Sequence, residues 1–149
     1  MAEAVLQRLG KGRFRALSAG SFPMNNVDLF TITMLEKKGY DTTNLYSKSW
    51  SEFDGEAGVD IVVTVCDQAD NEECPVWFGD AARAHWNTMD PSAFVGNEEQ
   101  TYEQFEAVLS LFEKRIEAFI ALPIDTYSNE KIEASLAEIG SEVPVVEMV

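Results

Sequence analysis

Positive charge is scarce in this chain: 11 Lys and Arg stand against 26 Asp and Glu, a formal net charge of −15. Nucleic acid and anionic membranes are therefore not expected as partners, because both are bound through basic surface that displaces counterions. General electrostatic steering of an anionic substrate is also missing. An oxyanion site would need its own local positive field, for example from backbone N–H groups at a helix N-terminus. Cysteine is scarcer still, with Cys66 and Cys74 the only two in 149 residues. Two thiols in a chain this long make no disulfide scaffold, so a reducing cytoplasm is the expected compartment. No apolar run approaches the roughly 20 residues that span a bilayer. The opening stretch "MAEAVLQRLGKGRFR" has no apolar signal core and carries an acid at Glu3, so no targeting segment is expected. There are no repeats and no low-complexity tracts. What is there is ordinary for a soluble globular protein of about one domain, 46% hydrophobic and 25% charged.

Periodicity divides the chain into alternating elements. Met1 to Leu9 reads as a helix with Ala2, Val5, Leu6 and Leu9 on one face, ended by Gly10 and Gly12. "FRALS", Phe14 to Ser18, is a short strand candidate. Asn25 or Asn26 is placed to cap a second helix with Val27, Phe30, Met34 and Leu35 as its stripe, stopped by Gly39. "VDIVVTV", Val59 to Val65, is the clearest strand, nearly continuously apolar as a central parallel strand should be. Arg83 to Trp86 is another short strand candidate. Thr101 to Leu122 is the longest helix, with Phe105, Leu109, Phe112, Ile116 and Phe119 at 3–4 spacing and Pro123 as its stop. Ser128 can cap a last helix facing inward with Ile132, Leu136 and Ile139. "VPVVEMV", Val143 to Val149, is a β-prone tail. Strands alternating with helices imply an α/β fold with a mainly parallel sheet, whose sites lie beyond the C-terminal strand ends.

Cys66 follows directly on the best strand, in "VCDQADNEECPVW". The two thiols allow several readings. With His85 they would supply three metal ligands, but Cys-x7-Cys is not a zinc-knuckle spacing and no second pair exists. Free cysteines are often simply buried, yet Cys74 sits in a polar loop rather than an apolar strand. A loop of this length closes a disulfide at little entropic cost and opens again, so a reversible redox pair is credible. Asp67, Asp70, Glu72 and Glu73 disfavour a thiolate nearby, which makes both sulfurs poor first nucleophiles. His85 and Trp86 read as packing residues, and Asp90 before Pro91 reads as a turn residue.

Several segments in order, "MAEAVLQRLG", "SAGS" at 18–21, "SKSW" at 47–50, "VTVCDQADNEECPVW" at 63–77 and "HWNTMDP" at 85–91, together resemble one family. It is that of the thioredoxin-coupled arsenate reductases, built on the low-molecular-weight protein tyrosine phosphatase fold. The resemblance runs from Met1 to about Gly140 and leaves 141–149 as a tail. It implies a three-layer α/β/α domain with a mainly parallel sheet. It also implies a relay in which a first cysteine in an anion-binding loop attacks arsenate and two further cysteines follow. Cys66 and Cys74 match the second and third, and Asp90 matches the general acid. A thioredoxin-type reductant is implied as partner, a small oxyanion as substrate, and no bound cofactor. Glu3 and Ser18 match positions that help hold a potassium ion in some members. Lys48 stands where those members carry an Asp, so its ammonium group is expected to replace that cation.

One part of the pattern has no counterpart. In the family "MAEA" follows the first, central strand and the anion loop with its nucleophilic cysteine and arginine; here Met1 is the first residue. The resemblance thus implies that this strand, expected between Phe14–Ser18 and Val59–Val65, is missing, and that the chain alone is inactive. A late start or a filled slot, for example by residues 143–149, would account for the gap. Two other functions share the pattern: a plain phosphatase of the same fold, and a non-catalytic binding or redox-partner protein that has lost the anion loop.

Overall fold

The computed structural model describes residues 1–20, 26–53, 59–65 and 80–142. Cys66, Cys74 and residues 143–149 lie outside them. The elements are α1 (Ala2–Gly10), α2 (Leu29–Lys37), β1 (Ile61–Thr64), β2 (Ala82–His85), α3 (Glu98–Ile120) and α4 (Asn129–Glu142), with 3-10 turns at Trp50–Phe53, Pro91–Ala93 and Ile124–Thr126. β1 and β2 pair in parallel, with Ile61 opposite Ala82 and Thr64 opposite His85. The α/β class and the parallel pairing are as expected, with the longer apolar run trimmed to the four residues of β1 that carry the ladder.

The strand expected at Phe14–Ser18 does not form a ladder; among the described residues its neighbourhood contributes an isolated parallel bridge between Gly20 and Ser49. The apolar residues of this segment are used in packing instead. Ala16 is buried, and the Phe14 ring lies 5.2 Å from that of Phe119. A strand is defined by a neighbour's backbone as much as by its own side chains.

Helix ends explain the other departures. Asp28 rather than Asn26 caps α2, its Oδ1 accepting from the amides of Phe30 at 2.9 Å and Thr31 at 3.4 Å, while Asn25 lies outside the described residues. Gly39, at φ 82°, ends that helix in the left-handed conformation, as expected. α1 runs through Gly10 and turns at Lys11 and Gly12, both at positive φ. α3 begins three residues before its apolar stripe suggests. Asn97 accepts from the Gln100 amide while Gln100 reaches back to the Asn97 amide, a capping box that fixes the start. At its far end, Arg13 donates to the carbonyls of Ile120 at 2.8 Å and Leu122 at 3.1 Å, a cation at the negative pole of the helix. Ser128 caps α4 as expected, its hydroxyl accepting from the Lys131 amide.

One core joins these elements. Val5 of α1, Met34 and Leu35 of α2, Ala82 of β2, Leu136 of α4 and the inner face of α3 form one buried cluster, against which Ile61, Val63 and Val65 pack. α4 runs alongside β2 in the same direction. Asn129 donates to the Asp80 carbonyl, Glu133 accepts from the Arg83 amide, and Gly140 abuts Trp86 just past the strand's end.

Candidate active site

Parallel pairing brings the C-terminal ends of both strands to one edge of the sheet, where ligands bind in such folds. The edge is tied across by the Trp86 amide, which donates to the Thr64 carbonyl at 2.7 Å. A 2.6 Å hydrogen bond joins the Thr64 hydroxyl to Nδ1 of His85. Cys66 is two residues beyond β1, outside the described residues, as is Cys74. On the β2 side the chain continues through Trp86, Asn87 and Thr88 to Asp90.

Asp90 is exposed and caps the 3-10 turn Pro91–Ala93. Its Oδ1 accepts from the Ser92 amide at 2.9 Å and the Ser92 hydroxyl at 2.6 Å. The turn reading of Asp90 therefore holds, and the residue remains exposed. The reading of Trp86 as a packing residue also holds. It is buried, and its indole N–H donates to the Leu136 carbonyl at 2.9 Å. His85 is half-buried and hydrogen-bonded to Thr64. Among the described residues no group of His, Cys, Asp and Glu could hold a metal ion.

The structure brings Glu3, Ser18 and Lys48 together. Lys48 Nζ lies 3.1 Å from Glu3 Oε1 and 3.5 Å from the Ser18 hydroxyl, and 4.4 Å from the centre of the Tyr46 ring. Lys48 and Glu3 retain only 6% and 8% of their exposure, so this is a buried ion pair rather than a surface bridge. Together with Phe14, Leu17, Asn44 and Tyr46 the pair lines a cleft of about 370 Å³.

Sequence reasoning missed one charged residue near the edge. Arg115 of α3 is buried, and burial lowers its pKa from the ordinary guanidinium value. The signal was present. Arg115 is three residues after Phe112 and four before Phe119, on the apolar stripe itself.

The parallel pair leaves the segments that follow β1 and β2 at one edge of the sheet. Comparison with known proteins identifies the family. No curated protein matches the chain, but the model of the family described as low molecular weight phosphotyrosine protein phosphatase matches residues 1–134. With nearly all of the sequence and both strands inside that match, the chain belongs to the low molecular weight phosphotyrosine protein phosphatase family.

Proposed function

We propose that the protein serves arsenate reduction, with Cys66 and Cys74 as the later thiols of a three-cysteine relay. The observation that carries the reading is the parallel β1–β2 pair, whose register puts the exit toward Cys66 and the exit toward Asp90 at the same edge. The first attack requires a cysteine in an anion-binding loop, and the 149 residues contain neither beyond Cys66 and Cys74. That nucleophile would form a sulfur–arsenic bond as Asp90 protonates the departing oxygen. With Oδ1 engaged by Ser92, Oδ2 is the oxygen that would carry the proton.

Cys66 then attacks the first cysteine's sulfur. A disulfide forms, the sulfur–arsenic bond breaks with its electron pair passing to arsenic, and arsenite leaves. Cys74 attacks Cys66, frees the first thiol, and leaves a Cys66–Cys74 disulfide for a thioredoxin-type dithiol to reduce. The acidic residues between the two cysteines suit thiols that act late rather than first. A reducing cytoplasm would host this chemistry, and among the described residues no helix is long and apolar enough to cross a membrane. In this reading the Lys48 ammonium group takes the place of a bound potassium ion beside Glu3 and Ser18.

The deciding experiment joins the family's first strand and anion loop ahead of Met1 and follows arsenate-dependent oxidation of thioredoxin. Cys74→Ser should release one arsenite per enzyme and then stop. Steady turnover in that variant would overturn the assignment of Cys74. The description of the matched family favours a second reading, hydrolysis of phosphotyrosine. Turnover of an aryl phosphate without arsenate-dependent oxidation of thioredoxin would select it.

A further inference from the structure

We infer that Arg115 is a positioning residue for Asp90, holding the segment that leads out of β2 from beneath. Arg115 is 1% exposed, among the most deeply buried large side chains among the described residues. Removing a guanidinium from water is expensive, and packing alone would be served by an apolar residue of similar length. The side chain makes specific use of its charge. Nη1 donates to the Asn87 carbonyl at 3.0 Å and lies 3.3 Å from the Thr88 hydroxyl. That hydroxyl donates in turn to the Trp86 carbonyl at 2.9 Å, and Thr88 is itself buried. The guanidinium carbon stands 5.9 Å from the centre of the Trp86 ring.

Three consecutive residues, Trp86 to Thr88, are thus tied to one side chain, and Asp90 follows two residues later. On the other side of Asp90 the turn Pro91–Ala93 rests against the same helix, α3. The aspartate is exposed, but the backbone that carries it is anchored to α3 both before and after. Both contacts come from Nη1, whose two hydrogens are fixed in the guanidinium plane, whereas the hydrogens of a lysine ammonium group rotate.

The inference rests on reading Asp90 as the general acid, and its test is independent of that reading. Amide hydrogen exchange is measured on the 149-residue chain and on Arg115→Met, Arg115→Lys and Thr88→Val. A hydrogen bond from a charged donor implies about tenfold or more faster exchange when it is lost. In Arg115→Met the amides of Ser92, Ala93 and Phe94 should speed up by that factor relative to the core amides of α3. Arg115→Lys should recover part of the protection. Thr88→Val, which keeps the guanidinium, should reproduce the local effect even if Arg115→Met does not fold. Uniform loss of protection across α3, α4 and the turn, or none at all in Thr88→Val, would reduce Arg115 to a packing residue and overturn the inference. Asp90→Asn in the turnover assay above tests the acid itself, so the two failures are distinguishable.

Discussion

Replacing Lys48 by Met removes one half of a buried ion pair and leaves the Glu3 carboxylate with 8% exposure and no ammonium partner at 3.1 Å. Breaking a buried pair from one side costs about 3–5 kcal/mol, because the remaining charge stays desolvated. Position moderates the figure. Glu3 lies in the first turn of α1, where the helix dipole stabilises an anion by about 0.3–1 kcal/mol, so Lys48→Met should fall near the lower end. Glu3→Leu does the reverse, leaving an ammonium group beside the positive end of that helix, and should cost more. The double variant Glu3→Leu/Lys48→Met removes both side-chain charges and leaves only the buried Met1 ammonium group, which faces both, so it should cost less than the two single variants added together. At about 2–4 °C per kcal/mol for a chain of this size, Lys48→Met should lower Tm by on the order of 10 °C. Urea unfolding followed by tryptophan fluorescence supplies the three free energies, and the cycle gives the coupling. A cost below about 1 kcal/mol for Lys48→Met, or additive losses in the double variant, would refute the reasoning and make the pair equivalent to a surface bridge.

Two further outcomes concern the same framework. If Lys48 occupies the place of a cation, Tm should be the same in potassium chloride and in tetramethylammonium chloride of equal ionic strength; a rise of several degrees in potassium alone would reject the replacement. Gly140→Ala should destabilise although alanine favours helix by about 1 kcal/mol. The added Cβ would sit 3.0 Å from Cδ1 of a Trp86 indole that is pinned by its bond to Leu136, and a more stable variant by urea titration would show that the indole yields freely.

The strongest periodic signals translated directly. The α3 stripe at Phe105, Leu109, Phe112, Ile116 and Phe119 is buried throughout, as are Ile132, Leu136 and Ile139 of α4. Both were legible because burial on a helix repeats with its turn. The apolar run around Ile61–Thr64 was legible as a parallel strand for the same kind of reason. Phe14–Ser18 was misread because its composition records packing but not whether a neighbouring backbone is there to pair with it. Asp28 was passed over for two asparagines because both residue types cap well, and only geometry decides among the three positions. At the candidate site, Asp90 was readable as a turn former from the proline after it. The grouping of Glu3, Ser18 and Lys48 was not, since these residues come from three separate segments and only the family resemblance connected them. Arg115 escaped because a charge on an apolar stripe is easily read as an interruption rather than as a member.

The parallel course of α4 along β2 has a consequence for self-association. An uncovered strand edge is a template for strands of other molecules. Here Glu133 occupies the outward amide of Arg83, Asn129 the carbonyl of Asp80, and Gly140 closes against Trp86. A foreign strand approaching β2 would have to lift off the helix and strip a carboxylate from the backbone before its first bond formed. On this side α4 hinders cross-β growth, so the helix that completes the core also guards the strand edge against polymerisation.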